Sequence, residues 1–370
     1  MVGPLMEALD TIDRHCADPV MAAKLRGLMR GYDARWGLLL DWRVTSVEDY
    51  VSSDLYNPES GRTSRTFQMA GKIDLRLLDE QGRIVLVDHK TTSEDIEDPM
   101  AAYWKQLGIE GQANHYLLLE WLNSRKVDYA IWDVVRKPSI SPRQLTKSEV
   151  KIIEAEGRYG GKPVAAEDIH LALREGRETP ALYEARLAQD CIETRPERYF
   201  QRRRLNRLDG EIAEYAQELW EHGQEIIAAR RNDRHMRNSG ACMNYGTACR
   251  YLNICSGHDT PDSANWRHKE WVHNELVQID GTNGGRDLLT NSRIRSFQTC
   301  RRKHFYDYEL GIEPVKTEDK EALVFGDLWH KAQEAYWRAI QTIQENYHES
   351  SFNESGTALD CASDTETAVV

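Results

Sequence analysis

The stretch AGKIDLRLLDEQGRIVLVDHKTTS, residues 70–93, limits what this chain can fold into more than any other part of it. Two β-prone runs, 66–78 and 83–90, flank Asp79-Glu80-Gln81-Gly82, which reads as the turn of a β-hairpin. Strand alternation puts Phe67, Met69, Ile73, Leu75 and Leu77 on one face and Lys72, Asp74 and Arg76 on the other. In the second strand Asp88 and Lys90 are two apart and share a face. The hairpin therefore predicts Asp74 beside Asp88, with one ammonium group between two carboxylates.

Such a constellation suits phosphodiester hydrolysis. Asp74 and Asp88, with the main-chain carbonyl of His89, offer the oxygen ligands that Mg²⁺ or Mn²⁺ prefers. The ion would polarise the phosphate and lower the pKa of a bound water. Lys90 would orient or help deprotonate that water, or stabilise the developing charge. The plainer alternative is a surface hairpin with a salt bridge, the commoner reading of a lone D…DxK pattern.

Apolar spacing predicts helices over 5–35, 101–122, 146–157, 180–191 and 208–231, and strands over 42–51, 127–136 and 197–205. Residues 256–289 are rich in Gly, Asp, Asn and Ser and read as linker, followed by two helices over 290–345. The expected organisation is a core with a Cys-rich closing segment over 1–258, a linker over 259–289, a helical segment over 290–345 and a disordered Ser/Thr/Glu-rich tail over 346–370.

The order GxID, hairpin, V-D-x-K-T, then helix resembles the RecB-type branch of the PD-(D/E)XK nuclease superfamily. In that branch the next helix carries Q-x-x-x-Y, here Gln112 and Tyr116, whose i,i+4 spacing sets both on one helical face. The resemblance implies an α/β fold with a restriction-endonuclease-like core, a mixed central sheet flanked by helices. It also implies a Mg²⁺- or Mn²⁺-dependent DNA exonuclease with Asp74, Asp88, Lys90, Gln112 and Tyr116 in its site. Recombination, repair or phage DNA metabolism would be its setting, with recombination or replication proteins as partners. The alternative is a non-catalytic DNA-binding or scaffold module that keeps the nuclease fold.

Residues 290–345 resemble the segment that normally opens such a nuclease, including G-x-x-x-H as Gly326 and His330. The resemblance makes His330 a further metal ligand and the order of the segments permuted. Relatives of the AddB and CRISPR-associated adaptation type hold a [4Fe–4S] cluster, and by that likeness Cys242, Cys249, Cys255 and Cys300 are its ligands. Zinc on the same four residues, or cysteines without metal, remain alternatives. So does a second, truncated nuclease copy beginning near residue 290.

The net charge of −12 argues against nucleic-acid binding through overall positive charge. It leaves room for a local basic groove. Arg202, Arg203 and Arg204 form one basic cluster; Arg301, Arg302 and Lys303 form another, favoured for DNA contact by its neighbours. Trp104, Trp121 and Trp132 read as core, with base stacking an alternative for Trp104. Cys16 reads as packed, and His15, His115 and His170 as surface or packing residues. No apolar run approaches the roughly 20 residues of a membrane span, and the first ten residues lack a secretory pattern. A cytoplasmic location and no membrane partner are expected.

Overall fold

The computed structural model describes residues 3–37, 42–244, 247–273, 276, 285–315 and 321–357. The amphipathic N-terminal stretch forms two helices rather than one, α1 (Pro4–His15) and α2 (Pro19–Trp36). Asp18 caps the second by accepting from Val20 N and Met21 N, and Pro19 follows at the first helical position. The predicted helix over 101–122 likewise divides, at the extended residue Glu110, into α3 (Ala102–Ile109) and α4 (Gly111–Leu122).

A mixed sheet follows the order β1 (Arg43–Tyr56), β2 (Thr63–Leu78), β3 (Ile84–Thr92), β4 (Tyr129–Arg136), β5 (Phe200–Leu205). The β3–β4 pair is parallel and the others along this path are antiparallel. The hairpin turn falls where the sequence puts it. The Asp79 carboxylate accepts from the Gln81 and Arg83 amides, and Gly82 supplies the left-handed residue with φ +74°.

Helices cover both faces. On one side α1, α2, α5 (Pro180–Gln189) and the long α8 (Glu321–Thr357) pack over Leu75, Leu77, Val85 and Val87. On the other, α4 and α6 (Asp209–Arg231) pack over Phe67, Met69, Ile73 and Leu86. The single apolar face expected for β2 is thus divided: Phe67, Met69 and Ile73 feed one core, Leu75 and Leu77 the other. The change falls at Asp74, opposite Glu48, which takes a left-handed conformation with φ +52°. A residue in that region distorts the regular ladder, so strict alternation does not carry across it.

The late segment docks on this core within the same chain. Strand β6 (Asp287–Leu289) pairs parallel with Phe67–Met69 of β2. Helix α7 (Asn291–Thr299) adds Ile294 and Phe297 to the core beneath α4 and α6. Helix α8 adds Trp329, Tyr336 and Trp337 to the opposite core. Part of the expected linker is also folded, for Trp266–His268 pairs with Ile312–Pro314 and the Trp266 ring stacks on Tyr251. The tail expected over 346–370 is helical as far as Thr357; residues 358–370, Cys361 among them, lie outside the described residues.

Candidate active site and metal centre

Strands β2 and β3 pair only through Leu75–Leu78 and Ile84–Val87, and β6 takes the same edge of β2 at Phe67–Met69. Residues 70–74 lie between the two pairings, so the sheet forks there. The fork is where the chemistry collects. Ligand atoms of Glu48, Asp74 and His330 all lie within 4.8 Å of one another, the one such group of three among the described residues. They come from β1, β2 and α8. They line a cleft of about 660 Å³ with Lys72, Gln112 and Tyr116.

Asp88 and Lys90 stand on the other prong. Lys90 Nζ lies 2.5 Å from Asp88 Oδ2 and donates to Gln112 Oε1 at 2.7 Å. Gln112 in turn donates to the Tyr116 hydroxyl at 3.0 Å. Asp88 is 7% exposed; Lys90 takes its Oδ2, and Oδ1 has no hydrogen-bond partner. A buried carboxylate with open lone pairs beside a second carboxylate is an arrangement a cation stabilises. His89 donates its main-chain N–H to Asp74 Oδ2 at 2.8 Å, which ties the two prongs together.

The electrostatics fit a hard divalent ion. Burial, with Asp74 nearby, raises the pKa of Glu48; burial also raises that of Asp88. Burial opposes the charge on Lys90, but Asp88 and Asp74 outweigh it and raise its pKa. Burial and the neighbouring His89 push His330 down to about 4, leaving a neutral imidazole with a free lone pair. Carboxylate oxygens with one neutral imidazole suit Mg²⁺ or Mn²⁺.

The back of β3 explains one basic cluster. His89 Nδ1 pairs with Asp133 Oδ2 at 3.1 Å, and Asp133 also accepts from Tyr32 and Arg202. Arg203 lies over Trp104 and Arg204 over Tyr129, each at 3.9 Å from the ring centroid. This cluster is committed to the fold. In the other, Arg301 pairs with Glu225 and Arg302 donates to the His235 carbonyl, so both anchor their own segment away from the cleft lining. The cleft's lysine and arginine residues are Lys72, Arg295 and Lys331 instead.

Trp104 and Trp132 are buried as expected, but Trp121 is 67% exposed. It lies at the solvent side of α4, the face that the helix period turns away from the sheet. His115 is a packing residue, bonded to Tyr215 and the Ala70 carbonyl. Cys242, Cys249, Cys255 and Cys300 are all half-buried free thiols. Cys300 Sγ accepts from Asn238 N at 3.4 Å, and Cys242 Sγ donates to the carbonyl of the same residue at 3.8 Å. Cys249 and Cys255 pack beside Tyr251 and Tyr306. No three of these sulfurs lie within 4.8 Å of one another, so they do not form the tight tetrahedron of a zinc site, whose sulfurs sit about 4 Å apart at Zn–S distances of about 2.3 Å.

Sequence reasoning missed Glu48. A carboxylate in VTSVEDYV has no motif around it, and only the register of β1 against β2 puts it opposite Asp74.

No curated protein and no solved structure matches the chain. A family model, that of the PD-(D/E)XK nuclease superfamily, matches residues 6–256 and 289–366. The matched segments are the two that build the fork, and the unmatched stretch holds most of the expected linker. With most of its length in that match, the chain belongs to the PD-(D/E)XK nuclease superfamily.

Proposed function

We propose that this protein is a Mg²⁺/Mn²⁺-dependent DNA exonuclease of recombination, repair or phage DNA metabolism. The observation that carries the reading is the convergence of Glu48, Asp74 and His330 at the fork that also holds Asp88, Lys90 and Gln112. Asp74, Asp88 and His330 would hold a divalent ion, which would supply Lewis acidity to the phosphodiester and lower the pKa of a water. Lys90, held by Gln112, orients that water and stabilises charge on the phosphate. Tyr116 fixes Gln112 and contacts the strand. The exonuclease reading and the pathway rest on the likeness to RecB-type nucleases. The same likeness supports a permuted order and a [4Fe–4S] cluster on Cys242, Cys249, Cys255 and Cys300, with Lys303 at the edge of the DNA path.

The test is degradation of 5′- and 3′-labelled single- and double-stranded DNA with and without Mn²⁺. Progressive loss of label from an end, dependent on the ion, supports the reading. Tight DNA binding with no cleavage under any ion would leave a binding or scaffold module instead.

A further inference from the structure

Among the described residues, every lysine and arginine lining the cleft is already matched by a carboxylate. Lys72 stands 2.5 Å from Glu48, Arg295 2.5 Å from Glu110 and Lys331 2.8 Å from Asp327. Lys90, just behind, is 2.5 Å from Asp88. A cleft in this state has no cation free for a phosphate. Two of these partners, Glu48 and Asp88, belong to the carboxylate cluster at the fork.

We propose that Lys72 is a metal-gated phosphate-binding residue: it holds Glu48 in the metal-free protein, is released when a divalent cation takes Glu48, Asp74 and His330, and then contacts the substrate phosphodiester. This rests on the nuclease reading above and deepens it, with Glu48 as a ligand. Three observations carry it. Glu48 is one of the three converging ligand residues, yet its Oε2 is occupied by the Lys72 ammonium. An ion on Glu48 would repel the ammonium on Oε2, which weakens the hold on Lys72. Asp88, nine-tenths buried beside the group, gives Oδ2 to Lys90 and keeps Oδ1 without a partner. The Lys72 side chain is 37% exposed and lines the cleft next to Asp74, whereas the Glu48 side chain is 12% exposed, so the lysine is the partner free to swing away.

Formal charge gives the exchange its direction. With the carboxylates ionised, Glu48, Asp74 and Asp88 outnumber Lys72 and Lys90 by one, and the cluster repels a phosphodiester. A divalent ion reverses the sign to one net positive charge, which one phosphodiester neutralises. DNA affinity is therefore coupled to the ion through Lys72.

The experiment uses the full chain without DNA first. Mn²⁺ binding is followed by electron paramagnetic resonance for the wild type, Lys72→Met, Glu48→Gln and Asp74→Asn. Loss of the competing ammonium should tighten Mn²⁺ binding in Lys72→Met by up to about fivefold, the worth of a part-exposed ion pair. Glu48→Gln should weaken it by about tenfold or more. Fluorescence anisotropy of a labelled oligonucleotide is then measured with and without Ca²⁺, under conditions where gels show no cleavage. Lys72→Met should lose affinity only when Ca²⁺ is present, and Lys72→Arg should restore part of it. Circular dichroism checks each fold, and Lys72→Gln replaces Lys72→Met if the latter unfolds. The proposal is overturned if Lys72→Met binds Mn²⁺ no more tightly than the wild type, or loses DNA equally with and without Ca²⁺. If Asp74→Asn abolishes Mn²⁺ binding while Glu48→Gln does not alter it, this inference fails and the nuclease site stands. If Asp74→Asn also binds normally, the metal centre itself is refuted, and this inference with it.

Discussion

Glu309→Gln tests how the late segment is held to the core. Arg293 on α7 is 2% exposed and donates to Glu309 at 2.7 Å, to the Leu288 carbonyl at 2.9 Å and towards His304 at 3.2 Å. Glu309 also accepts from Arg230 on α6, whose other contact is Asp287, a half-exposed carboxylate. The amide keeps the shape but leaves two guanidinium groups with that one anion. Burial depresses Arg293 below the usual arginine value, the sign of a charge taken out of water, so losing its anion is costly. Breaking a buried pair by removing one partner costs about 3–5 kcal/mol. With a urea slope of about 3 kcal/mol/M, the midpoint falls by about 1–1.7 M. Burial alone would raise Glu309, but the hydrogen bond from Arg230 and the charge of Arg293 hold it below the usual carboxylate range. Its stabilisation is therefore full above the unfolded value, about 4.3, and is lost as pH falls through the folded one. Urea titrations followed by circular dichroism should show the gap between wild type and variant at pH 7 narrowing as pH falls below about 4.3. A gap under about 1 kcal/mol at pH 7 would refute the reasoning, since no surface pair costs more than that when broken.

Four further outcomes are expected. Asp88→Asn and Lys90→Met should each cut the cleavage rate by about a thousandfold or more with circular dichroism unchanged, the scale of losing a catalytic electrostatic group; wild-type rates in Mn²⁺ would remove them from the site. Gln112→Ala and Tyr116→Phe should lose about 10- to 100-fold, because they orient Lys90 rather than hold the ion; normal rates on every substrate would detach α4 from the site. Gly71→Ala should lower stability by about 1–3 kcal/mol, since its Cβ would meet Tyr116 Cε1 at 2.8 Å; an unshifted melting curve would mean Tyr116 yields freely. Protein purified without oxygen should be brown and carry about four irons per chain, and Cys300→Ser should lose them; a colourless wild type carrying no iron counts against the cluster.

The sequence disclosed the hairpin, the D…DxK pair, the Gln112–Tyr116 face and the family, because each is local: a turn, a period of two, a helical spacing of four. It did not disclose Glu48, whose role depends on cross-strand register over a distorted ladder position. It also gave Phe67 through Leu77 a single face, since alternation assumes a regular strand and the left-handed residue opposite Asp74 breaks that assumption. The breaks at Asp18 and Glu110 were hidden for a different reason. Apolar spacing continues across both, and only cap and backbone geometry divide the helices. The Arg202–Arg204 run read equally as a solvated face or a basic groove; here aromatic rings and Asp133 receive it.

The docking of the late segment is what makes a site from these parts. Strand β6 fills the edge of β2 that β3 leaves open, and an unpaired edge beside a core would otherwise be a liability. It stops at Met69, and the Ala70 carbonyl beyond it is met by His115. The stretch up to Asp74 carries no strand pairing on that edge. From the same segment α8 crosses the opposite side of the sheet, held by Trp329 and Tyr336 in the core and by Gln344 against the backbone of Trp42 and Val44. That path carries His330 to Asp74 and Glu48. The apolar anchoring of α8 thus positions a half-buried imidazole against two carboxylates. The candidate metal centre depends on tertiary docking, so the residues that could hold an ion are scattered across the chain at 48, 74 and 330, and no local motif contains more than one of them.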